Sequence, residues 1–428
     1  MAVVKVEVYM KLIKTPVKGM NDYLPREERL RQRVLASIRE TYAAFGFDEV
    51  ETPAVEHIEN LTGKEGGENE KLIFRVMKRG AELQRAMEKG EDFADSGLRY
   101  DLTLPLARFY AANGDSLPAP FKALQIGNVW RADRPQKGRF RQFTQCDIDI
   151  LGDGSLLAEV ELISATSLML TKIFAGTSAE RFTVHVNDRR ILRAMALFAG
   201  FPADRLDVVF ILLDKLDKIG SEGVKEELVK EGFDADAADR YLALFDRDKT
   251  GSVADFCAFL SDAGLDPAVP AGVDTVLACV KAGAEGNAAF VFDPTLVRGM
   301  GYYTGTIFEV TLDAYNFSIA GGGRYDEMIG KFSGQKVPAC GFSIGFERII
   351  TVLSDMEKDK AANAGDGVAL LVEPGADGEM MRRVFAEAKD LRARGRRVTV
   401  LPLKKNAKFQ IDKLLEEGYG DVRRIYKD

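Results

Sequence analysis

Residues 131–141 hold Arg131, Arg134, Lys137, Arg139 and Arg141 against a single acid, Asp133. Directly after them Phe143, Gln145, Asp147 and Asp149 alternate with Thr144, Cys146, Ile148 and Ile150. In a strand the first set shares one face and the second set the other. Two apolar runs of strand length flank the basic middle, so the simplest arrangement is a hairpin with a basic loop. In a chain of this size both faces of such a hairpin are covered, which buries the carboxylates at least in part. A buried carboxylate is costly unless paired. The plainest partner is a nearby arginine in a structural salt bridge; a polar binding site is the alternative.

Composition narrows the chemistry. His57 and His185 are the only histidines, which argues against a His-based triad or a His-rich metal centre. His185 sits in the alternating run VHV and reads as structural. Cys146, Cys257, Cys279 and Cys340 show no CxxC spacing, against a zinc site or a disulfide scaffold and for a reducing cytoplasm. GKEGGEN (63–69) lacks the GK[ST] of a P-loop. Any chemistry must therefore lean on carboxylates, arginines and positioning. The chain has 428 residues, 46% hydrophobic and 29% charged, which describes a soluble globular protein of two or three domains. Its N-terminus is apolar but charged every few residues, so it reads as an edge strand or arm, not a signal peptide; nothing spans a membrane. The net charge is −7, yet residues 366–428 carry 14 Lys and Arg against 11 Asp and Glu. A locally basic module on an acidic body can bind phosphates.

The elements that would position these residues follow along the chain. Residues 25–45 place Leu30, Val34, Ile38 and Tyr42 at helical spacing, with Gly46 as the stop. FDEVETPAVE (47–56) turns extended, with Pro53 at a strand end or edge. Residues 60–97 are polar and Gly-dotted and read as surface loops and short elements. The segment 98–109 begins extended and turns helical from Leu104. A long helix over 155–174 and a short strand over 181–186 come next. Residues 188–286 are successive helical patterns with glycine stops. Strand-rich sequence then returns, and a helix closes it after residue 345. Residues 357–367 are a linker by composition, followed by β-α-β-α-β, with Met381, Val384, Ala388 and Leu391 on the inner face of its first helix.

Four motifs carry a specific resemblance. WRADRPQKGRFRQFTQCDIDI (130–150) resembles motif 2 of class II aminoacyl-tRNA synthetases, in the form found in histidyl-tRNA synthetases. LRYDLTLPLARF (98–109) resembles that family's amino-acid-binding segment, LVRGMGYYTGTIFE (296–309) its histidine-specific motif and GFSIGFERI (341–349) class II motif 3; GGGRYDEM (321–328) also fits. The resemblance implies an α+β fold: a class II catalytic domain on a mostly antiparallel sheet flanked by helices, a helical insertion and a small α/β C-terminal domain. The implied division is 1–187 and 287–358 for the catalytic domain, 188–286 for the insertion and 366–428 for an anticodon-binding-like domain. That last domain is cut short, lacking a strand pair and helix, so its last strand has an exposed edge.

The implied activity is activation of L-histidine by ATP, with Mg2+ and no prosthetic group, followed by transfer to tRNA(His). Such a displacement at phosphorus needs positioning and cationic stabilisation and no protein nucleophile. By resemblance Arg131 would hold the α-phosphate and the substrate carboxylate, Arg348 the γ-phosphate end, and Arg298 the α-phosphate. Asp101, Leu102 and Thr103, with Gln145, would take the ammonium end of histidine; Asp149, Tyr302 and Tyr303 would read and wall the imidazole. The family usually has an acid where this chain has Gly301, which would loosen the site. The helix and Pro53 segment resemble motif 1, which implies a homodimer; the implied setting is cytoplasmic, away from membranes. The competing readings are a histidine-binding regulatory subunit of ATP phosphoribosyltransferase, another class II adenylate-forming ligase, and a metal-dependent nuclease using Asp147 and Asp149. Arg298, RPQKGRFRQF and FER argue for the activating enzyme over the regulatory subunit, the double tyrosine and Asp149 argue against another ligase, and the lack of further clustered acids argues against the nuclease.

Overall fold

A computed structural model describes residues 12–62, 68–135, 139–284, 286–297, 302–315, 317–359 and 365–427. The first eleven residues, read as an edge strand or arm, lie outside these, and so do Arg298 and Gly301. The chain divides into two compact units, Met1–Asn21 with Leu35–Ile349, and Asp22–Val34 with Ile350–Asp428. The helix expected over 25–45 runs Pro25–Ala44, and Leu30, Val34, Ile38 and Tyr42 are its buried stripe.

In the first unit the strands are, in chain order, β1 (Asp48–Glu49), β2 (Val55–His57), β3 (Arg75–Met77), β4 (Ala94–Leu98), β5 (Phe121–Trp130), β6 (Gln142–Leu151), β7 (Phe182–Asp188), β8 (Ala288–Phe292), β9 (Thr306–Leu312), β10 (Ser318–Arg324) and β11 (Ala339–Gly345). Eight of them form one sheet in the order β1-β5-β6-β11-β10-β9-β7-β8. Only the outer pairs, β1 with β5 and β7 with β8, run parallel, so the sheet is mostly antiparallel and the class is α+β. The expected hairpin is β5–β6, in register from Trp130↔Gln142 to Phe121↔Leu151. On β6 the alternation predicts two faces, and both are buried. Cys146, Ile148 and Ile150 are at most 2% exposed, and so are Asp147 and Asp149.

The sheet also fixes what lies beside β6. β11 sets Gly341 opposite Asp149 and Ser343 opposite Asp147; β10 then sets Gly323 opposite Gly341. A side chain at Gly341 would collide with the Asp149 carboxylate, so glycine there is what lets that carboxylate lie over the strand. β10 is tied to the helix Leu157–Phe174 by a buried bidentate pair: Arg324 Nε and Nη2 donate to Glu159 at 2.7 and 2.6 Å. Bidentate geometry and full satisfaction are what make such a buried pair tolerable.

The short elements expected over 60–97 include β3 and β4, and β4 pairs with β2 and β3 in a second, antiparallel sheet in the order β2-β4-β3. β2 and β3, at three residues each, are too short to show a period of two. Between β7 and β8 the helices Arg189–Ala199, Leu206–Leu213, Leu216–Lys230, Ala235–Ala243, Val253–Cys257 and Ala268–Ala282 follow one another.

The second unit contains β12 (Val368–Val372), β13 (Val398–Pro402) and β14 (Asp421–Ile425), all parallel, in the order β13-β12-β14. Central β12 is a continuous apolar run, as a strand covered on both faces must be. Val368 and Leu370 pack with Val384 and Ala388, while Ala369 and Leu371 pack with Leu414. Met380, not Met381, fills the inner face of the helix Gly378–Ala393; Met381 is exposed. Both Met380 and Met381 lie within one helical face of Val384 and Ala388, so spacing alone does not choose between them. β14 is an outer strand of this sheet. The stretch 357–367 is helical as far as Asp359, and 360–364 lie outside the described residues.

Candidate active site

The polar face of β6 opens onto a cavity of about 60 Å³. One water needs roughly 10–15 Å³, so a small polar group fits. Asp101, Thr103, Arg131, Gln145, Asp149, Tyr302 and Tyr303 line it, together with Asp147, Tyr325 and Ser343. The floor is apolar: Tyr302, Tyr303 and Tyr325 pack with Leu106, Phe121 and Ala339.

Local structure explains each position. Asp101 precedes the helix Thr103–Asn113, and its Oδ1 accepts from the Leu104 N–H in the first turn (3.1 Å). Arg131 leaves the end of β5, donates from Nε to the Tyr100 carbonyl (2.9 Å) and lies 5.2 Å from the Phe143 ring centroid. Tyr302 and Tyr303 enter just before β9, with ring centroids 4.5 Å apart and a hydroxyl–hydroxyl bond of 3.4 Å. Tyr325 follows β10 directly and donates its hydroxyl to Asp149 Oδ1 at 2.5 Å. On the next register pair Ser343 donates to Asp147 Oδ1 (2.5 Å) and accepts from Gln145 Nε2 (2.9 Å).

The electrostatics are lopsided. Asp101, Asp147 and Asp149 are all buried, with Arg131 as the cation among the lining residues. Burial pushes Asp149 up to about 7, against the Tyr325 hydrogen bond and with the help of Asp101. Burial, then the neighbouring Asp149 charge, raises Asp147 well above the usual carboxylate range. Asp101 is raised by burial too, although the Leu104 N–H and Arg131 oppose it. Gln145 Oε1, Asp147 Oδ2 and Asp149 Oδ2 are buried without a partner among the described residues. Buried polar atoms are normally satisfied, so three orphaned acceptors around one cavity point to a ligand that brings donors and positive charge. Among the described residues the salt-bridge reading of these two acids is not borne out: Asp147 and Asp149 hydrogen-bond hydroxyls, not arginines.

Other expected residues lie elsewhere. The Leu102 side chain is in the core and its carbonyl accepts from Gln125 Nε2 (2.9 Å), so within 101–103 it is the flanking residues that reach the cavity. Arg348 is exposed, in the first turn of the helix Phe346–Asp359; it hydrogen-bonds the Ser318 carbonyl and lies 5.8 Å from the Phe317 ring centroid. His185 bonds Asp293 (2.9 Å) and Thr311 (3.0 Å) on the far strands β7–β9.

The chain and its fold have counterparts among known proteins. The family model described as histidyl-tRNA synthetase matches residues 19–349. The chain belongs to the histidyl-tRNA synthetase family. Among its relatives, the histidine–tRNA ligase of Leifsonia xyli subsp. xyli is 44% identical, over 97% of this chain and 96% of that one. The ligase of Phocaeicola vulgatus is 38% identical, over 79% of this chain and 76% of that one. Of solved structures, histidyl-tRNA synthetase from Nostoc sp. PCC 7120 superposes with a TM-score of 0.77 at 28% identity, covering 98% of this chain and 93% of that one. A Bacillus halodurans protein titled as an ATP phosphoribosyltransferase regulatory subunit/histidyl-tRNA synthetase shares the fold, with a TM-score of 0.74 at 21% identity over 98% and 100%. Of the residues lining the pocket, Ser343 and Tyr325 had no role in the sequence reading, and Asp147 figured only in its salt-bridge and nuclease alternatives. Asp147 was visible on the right face; Tyr325 was visible only as part of GGGRYDEM.

Proposed function

We propose that the chain activates L-histidine with ATP and transfers it to the 3′ end of tRNA(His). In the first step a carboxylate oxygen of histidine attacks the α-phosphorus of ATP and the bond to pyrophosphate breaks. In the second, a ribose hydroxyl of the terminal nucleotide attacks the histidyl carbonyl and AMP leaves. Identity of 44% to a histidine–tRNA ligase over nearly the full chain supports this reading against the regulatory-subunit alternative. The observation that carries it at the site is the set of three orphaned acceptors, on Gln145, Asp147 and Asp149, around one cavity lined also by buried Asp101.

In this reading Asp101, Thr103 and Gln145 receive the α-ammonium group. Asp149, braced by Tyr325, accepts from an imidazole N–H, and Tyr302 and Tyr303 wall the ring. Arg131 holds the substrate carboxylate against the α-phosphate. Arg348 takes the γ-phosphate end near a helix N-terminus, where free N–H groups favour anions. Arg298 stabilises charge at the α-phosphate. Mg2+ arrives with ATP as part of the substrate. A pocket that hydrogen-bonds its substrate rejects apolar analogues by ~10⁴–10⁵, because their binding strands buried polar groups. Residues 188–286 then act as a helical insertion and 366–428 as an anticodon-binding module. The active form is a homodimer built on the helix Pro25–Ala44 and the segment around Pro53, and it works in the cytoplasm. Pyrophosphate exchange with each of the twenty amino acids tests the reading. Exchange with histidine alone is expected; none with histidine, or equal rates with several others, would overturn it.

A further inference from the structure

Side by side on β6 and β11 runs a short hydrogen-bond chain, two of whose members, Ser343 and Asp147, the roles above leave unused. Gln145 Nε2 donates to Ser343 Oγ (2.9 Å), and Ser343 Oγ donates to Asp147 Oδ1 (2.5 Å). The register Asp147↔Ser343, with Gln145↔Gly345 one step along the same face, builds this contact. A hydroxyl has one proton to give. Because Ser343 spends it on Asp147, it meets Gln145 only as an acceptor, and so receives the amide NH2 and not the amide oxygen. Turning the amide over would set Gln145 Oε1 against the lone pairs of Ser343. The amide oxygen is therefore left over, buried and unpartnered among the described residues, on a side chain that lines the cavity. Without Asp147, Ser343 could donate to Gln145 instead, and the amide would present its NH2 to the cavity. A donor there repels an ammonium group.

We propose that Asp147 is a positioning residue that, through Ser343, holds the Gln145 amide with its oxygen toward the amino group of the substrate, so that the pocket selects an amino acid over its des-amino analogue. The proposal rests on the histidine-site reading. It differs from a direct contact between Asp147 and the ligand, because the carboxylate acts only as the acceptor that fixes the Ser343 proton.

The test is competition binding of histidine and imidazole-4-propionate, which keeps the ring and the carboxylate and lacks the amine. Wild type should prefer histidine strongly. Ser343→Ala and Asp147→Ala should each cut that preference about tenfold, the size of one lost hydrogen bond to a charged group, with the analogue's own affinity little changed. Asp147→Asn should recover most of the preference, since its amide oxygen still accepts from Ser343. A merely structural role would weaken both ligands in parallel, and that result overturns the proposal. So does an unchanged preference in Ser343→Ala. Failure of Asp147→Asn to recover it would mean that the charge itself reads the ligand, which also overturns it. A wild type with no preference for the amine would sink the histidine-site reading, and the positioning role with it.

Discussion

The two faces of β6 share one backbone, one register and nearly the same burial, yet they are finished differently. Cys146, Ile148 and Ile150 are at most 2% exposed among apolar neighbours, and nothing on that face lacks a partner among the described residues. Gln145, Asp147 and Asp149 are at most 9% exposed, and each keeps an orphaned acceptor. Burial alone does not separate a stabilising face from a working one. Unmet hydrogen-bonding capacity does. The apolar face gains free energy when the chain folds; the polar face costs free energy until a ligand supplies the missing donors.

The largest effect is expected where the apolar face is cut. Ile148→Ala should cost about 2–5 kcal/mol of stability, the range for emptying a fully buried aliphatic position, measured by denaturant unfolding. Histidine-dependent exchange per folded molecule should stay near wild type, and a selective loss of histidine affinity would break the division between faces. Next comes Tyr325→Phe, which removes the donor to Asp149 and leaves the ring in its cluster. Histidine KM should rise about five- to tenfold, the size of one hydrogen bond to a carboxylate, with the melting temperature nearly unchanged.

The smallest effect sharpens the comparison through pH. The folded protein holds the Asp149 proton up to about 7, whereas a free carboxyl releases it near about 4. Stability from this group is therefore full below pH ~4 and lost as pH rises through ~7. Melting temperatures of ligand-free protein from pH 4.5 to 8 should show that decline, and Asp149→Asn should flatten part of it. The remainder belongs to Asp101 and Asp147, whose shifts have the same sign. An unchanged slope in the variant would mean that Asp149 is ionised throughout.

Much of the fold was legible because long periodic elements announce themselves. The stripe Leu30, Val34, Ile38, Tyr42 and the alternation from Phe143 to Ile150 needed only the geometry of helix and strand. What was not legible depends on contacts between distant segments. Ser343 and Asp147 lie 196 positions apart, and Tyr325 and Asp149 lie 176 apart; no local pattern encodes the β6–β11 register that joins the first pair. The three-residue strands β2 and β3 were too short to carry a period. The seven pocket residues named from motifs came by resemblance, and the face argument alone would have found only Gln145, Asp147 and Asp149. Burial on that face left arginine salt bridges and a polar site evenly matched for the two acids, and their partners among the described residues are hydroxyls.

The central claim is that the polar face of β6 reads histidine. Pyrophosphate exchange by Asp149→Asn, with histidine and ATP varied in turn, tests it most directly. The account predicts a histidine KM raised about 10- to 100-fold, the cost of replacing a charged acceptor, with the ATP KM within about twofold of wild type. Equal rises in both, or no rise for histidine, would contradict it.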